Sequence, residues 1–209
     1  GGAFNLSNNN FTLSGSANAG DGVVFDNNAA LNTSGALNVV VLGTSNSGTG
    51  VNWNAVTTNL SSATHLTVLG VSVGTGTGTT VSDATLSLSG NSTISGNGST
   101  AGLVFSNSTI QNSGNLSLLS NHALALGNIT STGLLVASAG TNLTQSAGTF
   151  ITSNVTQLSA TQNINLSSAS NVLSGNVSGN STTGFVNIVA QEIHGVAFQG
   201  TNVTLTALA

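Results

Sequence analysis

Apolar and polar residues alternate in short runs along most of the chain. Leu116 and Leu118, and likewise Ile164 and Leu166, are separated by one polar residue. This period of two is typical of β-strands with one buried face. Thr and Val are abundant, and Gly and Asn interrupt the runs at short intervals, which indicates turns. The pattern therefore predicts an all-β protein made of short strands.

A longer pattern repeats above this alternation. Similar phrases, each with small polar residues between glycine clusters and an apolar end, occupy residues 13–25, 42–53, 69–81, 95–105 and 174–187. Their leading glycines are Gly15, Gly43, Gly70, Gly96 and Gly175. The first four are 28, 27 and 26 residues apart, and Gly175 lies 79 residues after Gly96, close to three further periods. A fixed period of this size indicates a repeat architecture, and we interpret these glycines as turn residues.

A period of about 27 residues suits one coil of a β-helix with three short strands and three turns, whereas propeller blades need about 40 residues. The sequence thus predicts a single-stranded parallel β-helix, or β-solenoid, that spans residues 1–209 as one continuous unit. About eight coils at ~4.8 Å per strand would give a rod about 35–40 Å long. Apolar runs lie closer together between residues 114 and 168, which predicts shorter coils there. The chain is expected to be a segment of a longer solenoid or a subunit that stacks into a filament.

Two sets of apolar residues occupy equivalent places in different repeats and are expected to stack in the core. The first set contains the aromatic residues Phe25, Trp53 and Phe105. The second contains Leu37, Leu66 and Leu116, each six residues after another Leu or Ile.

Composition changes the picture mainly by what it excludes. The chain has no Lys or Arg and a formal net charge of −4, so it lacks the cations with which proteins neutralise nucleic-acid phosphates or bind anionic membranes. No apolar run approaches the roughly 20 residues of a membrane helix, so membrane insertion is not expected. With 38% hydrophobic residues, the chain can bury a core. In a stacked solenoid, like charges would repel across adjacent strands, which explains why only 2% of residues are charged.

The phrases GTSNSGTGVNW (43–53), GNLSLLSNHALAL (114–126) and NVTQLSATQNINLSSASN (154–171) resemble the repeats of filamentous-haemagglutinin-like exoproteins. These are large β-helical adhesins exported by two-partner secretion, and related autotransporter passengers have similar repeats. The resemblance implies a right-handed β-helix at the bacterial surface that serves attachment or a filamentous matrix. The chain departs from these repeats in its lack of Lys and Arg.

Residues that could carry chemistry are few and scattered. The three histidines, His65, His122 and His194, are far apart in sequence, and a metal site needs several converging ligands. Asp26 and Asp83 would lie about 10 Å apart if they stacked two coils apart, a separation that could suit an inverting glycosidase. Asp21 occurs in a glycine-rich phrase that faintly resembles calcium-binding repeats, but in one copy only. We therefore expect no catalytic, cofactor-binding or metal-binding residues and no enzyme activity.

The expected function is structural and adhesive: an extracellular rod that forms or extends a bacterial surface filament or an adhesin stalk. Its expected partner is itself, end to end, with glycans or proteins of host or neighbouring cells as further candidates. The alternative is a binding module for ice or glycans, because threonines alternate in GTGTGTT (74–80) and NVTLT (202–206).

Overall fold

The computed structural model describes residues 3–7, 9–26, 30–35, 38–63 and 65–208, and within them every regular element is a β-strand. All strand pairs in these ranges are parallel. None of the described segments forms a helix that is long and apolar enough to cross a membrane. The predicted all-β, parallel β-solenoid of about eight coils is confirmed.

The strands, in chain order, are β1 (Ala3–Leu6), β2 (Phe11–Ala17), β3 (Val23–Phe25), β4 (Ala30–Thr33), β5 (Asn38–Ser45), β6 (Val51–Asn54), β7 (Thr57–Leu60), β8 (His65–Ser72), β9 (Thr77–Ser82), β10 (Thr85–Leu88), β11 (Asn91–Asn97) and β12 (Ala101–Ser106). They continue with β13 (Thr109–Asn112), β14 (Leu116–Ser120), β15 (Leu124–Leu126), β16 (Asn128–Ala139), β17 (Leu143–Gln145), β18 (Ile151–Ala160), β19 (Ile164–Leu166), β20 (Val172–Ser181), β21 (Val186–Ala190), β22 (Glu192–Gln199) and β23 (Val203–Ala207).

Each coil passes through three faces in the same order. Face 1 consists of β2, β5, β8, β11, β14 and the C-terminal parts of β16, β18, β20 and β22. Face 2 consists of the sheet β3-β6-β9-β12 followed by the sheet β15-β17-β19-β21-β23. Face 3 consists of β1, β4, β7, β10, β13 and the N-terminal parts of β16, β18, β20 and β22. From β16 onward, one long bent strand therefore runs from face 3 into face 1.

Coil length follows from the pairing register of face 1. Successive partners in one column are Gly15, Gly43, Gly70, Gly96, Ser120, Ala139, Ala160 and Ser181. The steps between them are 28, 27, 26, 24, 19, 21 and 21 residues. Shorter coils are thus present where the sequence predicts them, and they extend to Ser181. They are shorter mainly because the loop between faces 3 and 1 is lost where β16, β18 and β20 each run through both faces.

Alternate residues of each strand point into a single continuous core of Leu, Val, Ile, Ala and aromatic side chains. Strand β8, for example, has the burial pattern expected for one buried and one outward face, with Leu66 and Val68 inside. At the two ends, inward-facing residues such as Leu13, Phe198 and Leu205 are only partly buried. The described end coils therefore leave core surface uncovered.

Candidate functional site

The leading glycines of the repeat phrases lie in strands and point inward. Gly43 is buried in β5, and a Cβ added to it would overlap the carbonyl oxygen of Gly50 at the start of face 2. Gly15, Gly70 and Gly96 meet the partner glycines of the next sheet in the same way; these partners are Gly22, Gly78 and Gly102. Their assignment as turn residues is corrected, because they allow two sheets to approach at backbone contact. We call this double glycine column the glycine corner.

Gly175 does not belong to this column. It lies in β20 at the register shift between faces 3 and 1, where a Cβ would overlap the carbonyl oxygen of Asn154. The residue that occupies the column in that coil is Ser181. The spacing of 79 residues does not correspond to three periods, because the intervening coils are shorter than the first ones.

The predicted aromatic column is inside the core. The rings of Phe25 and Trp53 are stacked, with centroids 4.4 Å apart and an interplanar angle of 24°. Phe105 is buried in the same column but is separated from Trp53 by Val81. The buried indole Nε1 of Trp53 donates a hydrogen bond to Thr58 Oγ1 at 3.1 Å, so its polar atom is satisfied.

Two of the three residues of the predicted leucine column are described. Leu66 and Leu116 are buried in one column and are separated by Ser92. Leu37 lies outside the described residues. The register partner of Leu66 in the preceding coil is Val39, so the column passes two residues after Leu37.

Polar side chains on the outside form hydrogen-bonded ladders along the rod. Asn38 Nδ2 donates to Asn10 Oδ1 at 3.0 Å, and His65 Nδ1 lies 3.1 Å from Asn38 Oδ1. Similar amide pairs between coils are Asn32–Asn5, Asn46–Asn18, Asn121–Asn97, Asn163–Asn142 and Asn187–Asn165. His65 therefore extends an amide ladder.

Asp21 and Asp83 accept hydrogen bonds from the next coil. Asp21 accepts hydrogen bonds at 2.7 Å from the backbone N–H of Thr49 and from Asn52 Nδ2, and Asp83 accepts one at 2.7 Å from Asn107 Nδ2. Asp26 follows Phe25 directly. Two coils later, Val81 is in the column of Phe25 and is followed by Ser82, so Asp83 lies one residue further along than Asp26. The two carboxylates thus do not share a column, so the stacked pair considered from the sequence is not formed.

The other two histidines lie in different surroundings. His194 Nε2 is 2.6 Å from Glu192 Oε1 on the surface of β22. Nδ1 of His122 is buried without a hydrogen-bond partner beside the corner of the fifth coil. Within the ranges that the structure describes, no group of three or more His, Cys, Asp or Glu side chains could hold a metal ion.

One buried side chain with a structural role was not singled out from the sequence. Asn171 is fully buried, and its Oδ1 accepts hydrogen bonds from Ile151 N and Gln145 Nε2, both at 2.8 Å. Its Nδ2 donates to Gln145 Oε1 at 2.9 Å and to Val189 O at 3.0 Å. The amide therefore joins three successive coils. Asn is so frequent in this chain that no local signal distinguishes this one.

The threonines of the GTGTGTT stretch do not form a flat outer row. Thr79 is fully buried, and its Oγ1 donates to Ser95 O at 2.7 Å. A regular outer row exists on face 3, where Thr57, Thr85 and Thr109 are register partners in successive coils. A second polar row runs two residues further along each strand: Asn59, Ser87, Gln111, Thr130 and Thr152.

Face 1 carries a different surface, with aliphatic side chains among the polar ones. Leu42 and Leu69 are register partners, and Leu119 lies in the same column. We define the aliphatic patch as the outward-facing residues Val40, Leu42, Leu69, Leu119, Val136 and Val155.

No protein-family model, curated protein or solved structure matches this chain.

Proposed function

We propose that the chain is a rigid, adhesive rod segment of an extracellular bacterial filament or adhesin stalk. The observation that carries this proposal is the continuous core, which runs through all the described coils beneath three faces, each built of parallel strands. Such a molecule is stiff along its length, because each coil is fixed to its neighbours by core packing and by backbone hydrogen-bond ladders. The repeat resemblance to filamentous-haemagglutinin-like exoproteins supports the bacterial surface as its location.

The outer surface supports the same role. Amide and hydroxyl ladders connect the coils, for example from Asn10 through Asn38 to His65. Ladders of uncharged side chains avoid the repulsion that stacked like charges would cause. The parts of the surface that carry these ladders thus stay polar while the coils stack at the spacing of adjacent strands.

Rod growth end to end is part of the proposal. The inward-facing side chains of the described end coils, among them Phe11 and Leu13 at one end and Phe198 at the other, are only partly covered. Exposed strand edges and core side chains favour the addition of further strands. The additional coils belong either to more of the same chain or to another copy.

Rod length and stiffness are measurable in the isolated chain. Dyes attached through cysteines, introduced by Ser14→Cys on β2 and Ser178→Cys on β20, should give a narrow distance distribution by single-molecule energy transfer. The expected separation is about seven strand spacings, or ~34 Å along the axis. A broad distribution, as for a flexible chain, would contradict the rod. Adhesion is tested separately by binding of the labelled chain to bacterial and epithelial cells, and absence of binding to both would leave only a spacer role.

A binding module for ice or glycans is the second candidate, and the threonine row of face 3 favours it. Thr57, Thr85 and Thr109 repeat once per coil on a regular sheet, which places hydroxyl and methyl groups at the ~4.8 Å strand spacing. Thermal hysteresis of the wild-type chain and of Thr85→Lys, together with binding to a glycan array, tests this candidate. Hysteresis or glycan binding that Thr85→Lys abolishes would support it, and absence of both in the wild type would exclude it.

A further inference from the structure

We propose that face 1 is an interface through which two copies of this chain associate side by side. This lateral contact goes beyond the proposed end-to-end continuation, because it uses the flank of the rod. It rests on the aliphatic patch, the placement of charges, the area of the face and the symmetry of the patch.

The first observation is the exposure of the aliphatic patch on a regular sheet. Leu69, Leu119 and Val155 each expose 37% of their surface, although they lie in strands with neighbours on both sides. On face 3, by contrast, the outward-facing row consists of the polar residues Thr57, Thr85 and Thr109. Clustered exposed aliphatic side chains of this kind mark interaction surfaces.

The second observation is that none of the four carboxylates of the chain lies on face 1, where His65 stands at the start of β8. The four acidic residues lie elsewhere: Asp21 and Asp26 flank β3, Asp83 separates β9 from β10, and Glu192 begins β22 on face 3. Two copies, each with a formal net charge of −4, can therefore meet here without burying or opposing carboxylates. A strongly basic or acidic partner would find no complementary carboxylate, Lys or Arg on this face.

The third observation is the size of the face. The seven face 1 strands centred on β11, from β2 to β18, at ~4.8 Å and with about seven residues each at ~3.3 Å, span about 780 Å². A standard stable interface buries about 800 Å² per partner. Face 1 is therefore large enough for a specific dimer.

The distribution of the patch indicates how the copies are related. Leu69 on β8 and Leu119 on β14 lie on opposite sides of β11 in one column, and Val40 and Val136 flank it two strands away in another. Strand β11 itself presents the polar Thr93 and Ser95 outward. A twofold axis that lies between the two facing copies, parallel to β11, places each column opposite the same column of the partner. It also reverses the order of the coils along the rod. It places Leu69 near Leu119 of the partner subunit, in an antiparallel isologous dimer.

The experiment is sedimentation velocity on the full chain over a wide concentration range. The wild type should form a dimer, and Leu69→Glu combined with Leu119→Glu should weaken dimerisation by about 100-fold or more, because like charges would face each other. Val24→Glu is the matched control, since Val24 is an aliphatic residue 48% exposed on face 2. That control should dimerise like the wild type, and circular dichroism should give all variants the same fold.

A pairing test checks the arrangement independently. Chains carrying Leu69→Lys and Leu119→Lys, mixed with chains carrying Leu69→Glu and Leu119→Glu, should form a heterodimer, whereas each set alone stays monomeric. A wild type that is monomeric at every concentration would overturn the proposal. So would a dimer that is insensitive to the face 1 changes, or a wild-type monomer that instead sediments with phosphatidylcholine vesicles through this face. The proposal would also be overturned if the wild type formed only end-to-end polymers and no lateral dimer, and if the variant with Leu69→Glu and Leu119→Glu formed the same polymers.

Discussion

Gly43 illustrates how a single missing side chain sets the cross-section of the first four coils. Because a Cβ at Gly43 would overlap Gly50 O, the two sheets can meet at the glycine corner only if both columns remain glycine. Gly43→Ala should therefore lower the free energy of unfolding by about 2–3 kcal/mol or more, through forced separation of the strands. Urea unfolding followed by circular dichroism measures the change. Thr44→Ala, on the exposed side of the same strand, should have an effect below about 0.5 kcal/mol, and equal losses in both variants would contradict this explanation.

Ala55 has a backbone conformation that costs energy and that its neighbours in the stack tolerate better. Its φ is 53°, and the next two coils have Asp83 and Asn107 in the same left-handed region, with φ of 49° and 47°. Asn is several-fold better tolerated there than Ala. Ala55→Asn should raise the free energy of unfolding by about 0.5–1 kcal/mol, measured by urea unfolding. Asn107→Ala is the reciprocal control and should destabilise, because it also removes the hydrogen bond to Asp83. A stabilising Asn107→Ala would refute this account.

Among the elements, the loop between β19 and β20 shows how the short coils are held together. Asn171 supplies four side-chain hydrogen bonds to Gln145, Ile151 and Val189 in a site without solvent access. Asn171→Ala leaves buried backbone groups unpaired and should cost about 2–4 kcal/mol of unfolding free energy. Asn187→Ala removes one partly buried ladder bond to Asn165 and should cost about 1 kcal/mol or less. Thermal unfolding of both variants tests the contrast, and similar melting temperatures would argue against a special role for Asn171.

The same elements show how far the sequence predicts the structure. Period-two alternation and the spacing of Gly15, Gly43, Gly70 and Gly96 predict the solenoid and the register of its first coils, because an unchanged coil repeats its phrase at an unchanged interval. Gly175 is misaligned, since a change in coil length leaves the local pattern intact. The inward role of the glycines could not be read from the sequence, because glycine also predicts a turn. The aliphatic patch depends on which residues of distant strands share a column, and only the register reveals that.

At the level of the whole molecule, stability should vary along the rod. Each coil contacts only its neighbours, so the end coils have one stacking interface and the middle coils have two. Strand β22 is mostly exposed, whereas β11 is paired on both sides and has Ile94 buried. Hydrogen exchange measured by mass spectrometry should therefore show β22 and β23 exchanging first and β8 and β11 last, since opening from the ends breaks the fewest interfaces. The measurement should use a concentration at which sedimentation gives a single species, because end-to-end stacking would protect β22. Uniform exchange rates along the chain would mean that the rod opens as one cooperative unit, contrary to the nearest-neighbour account.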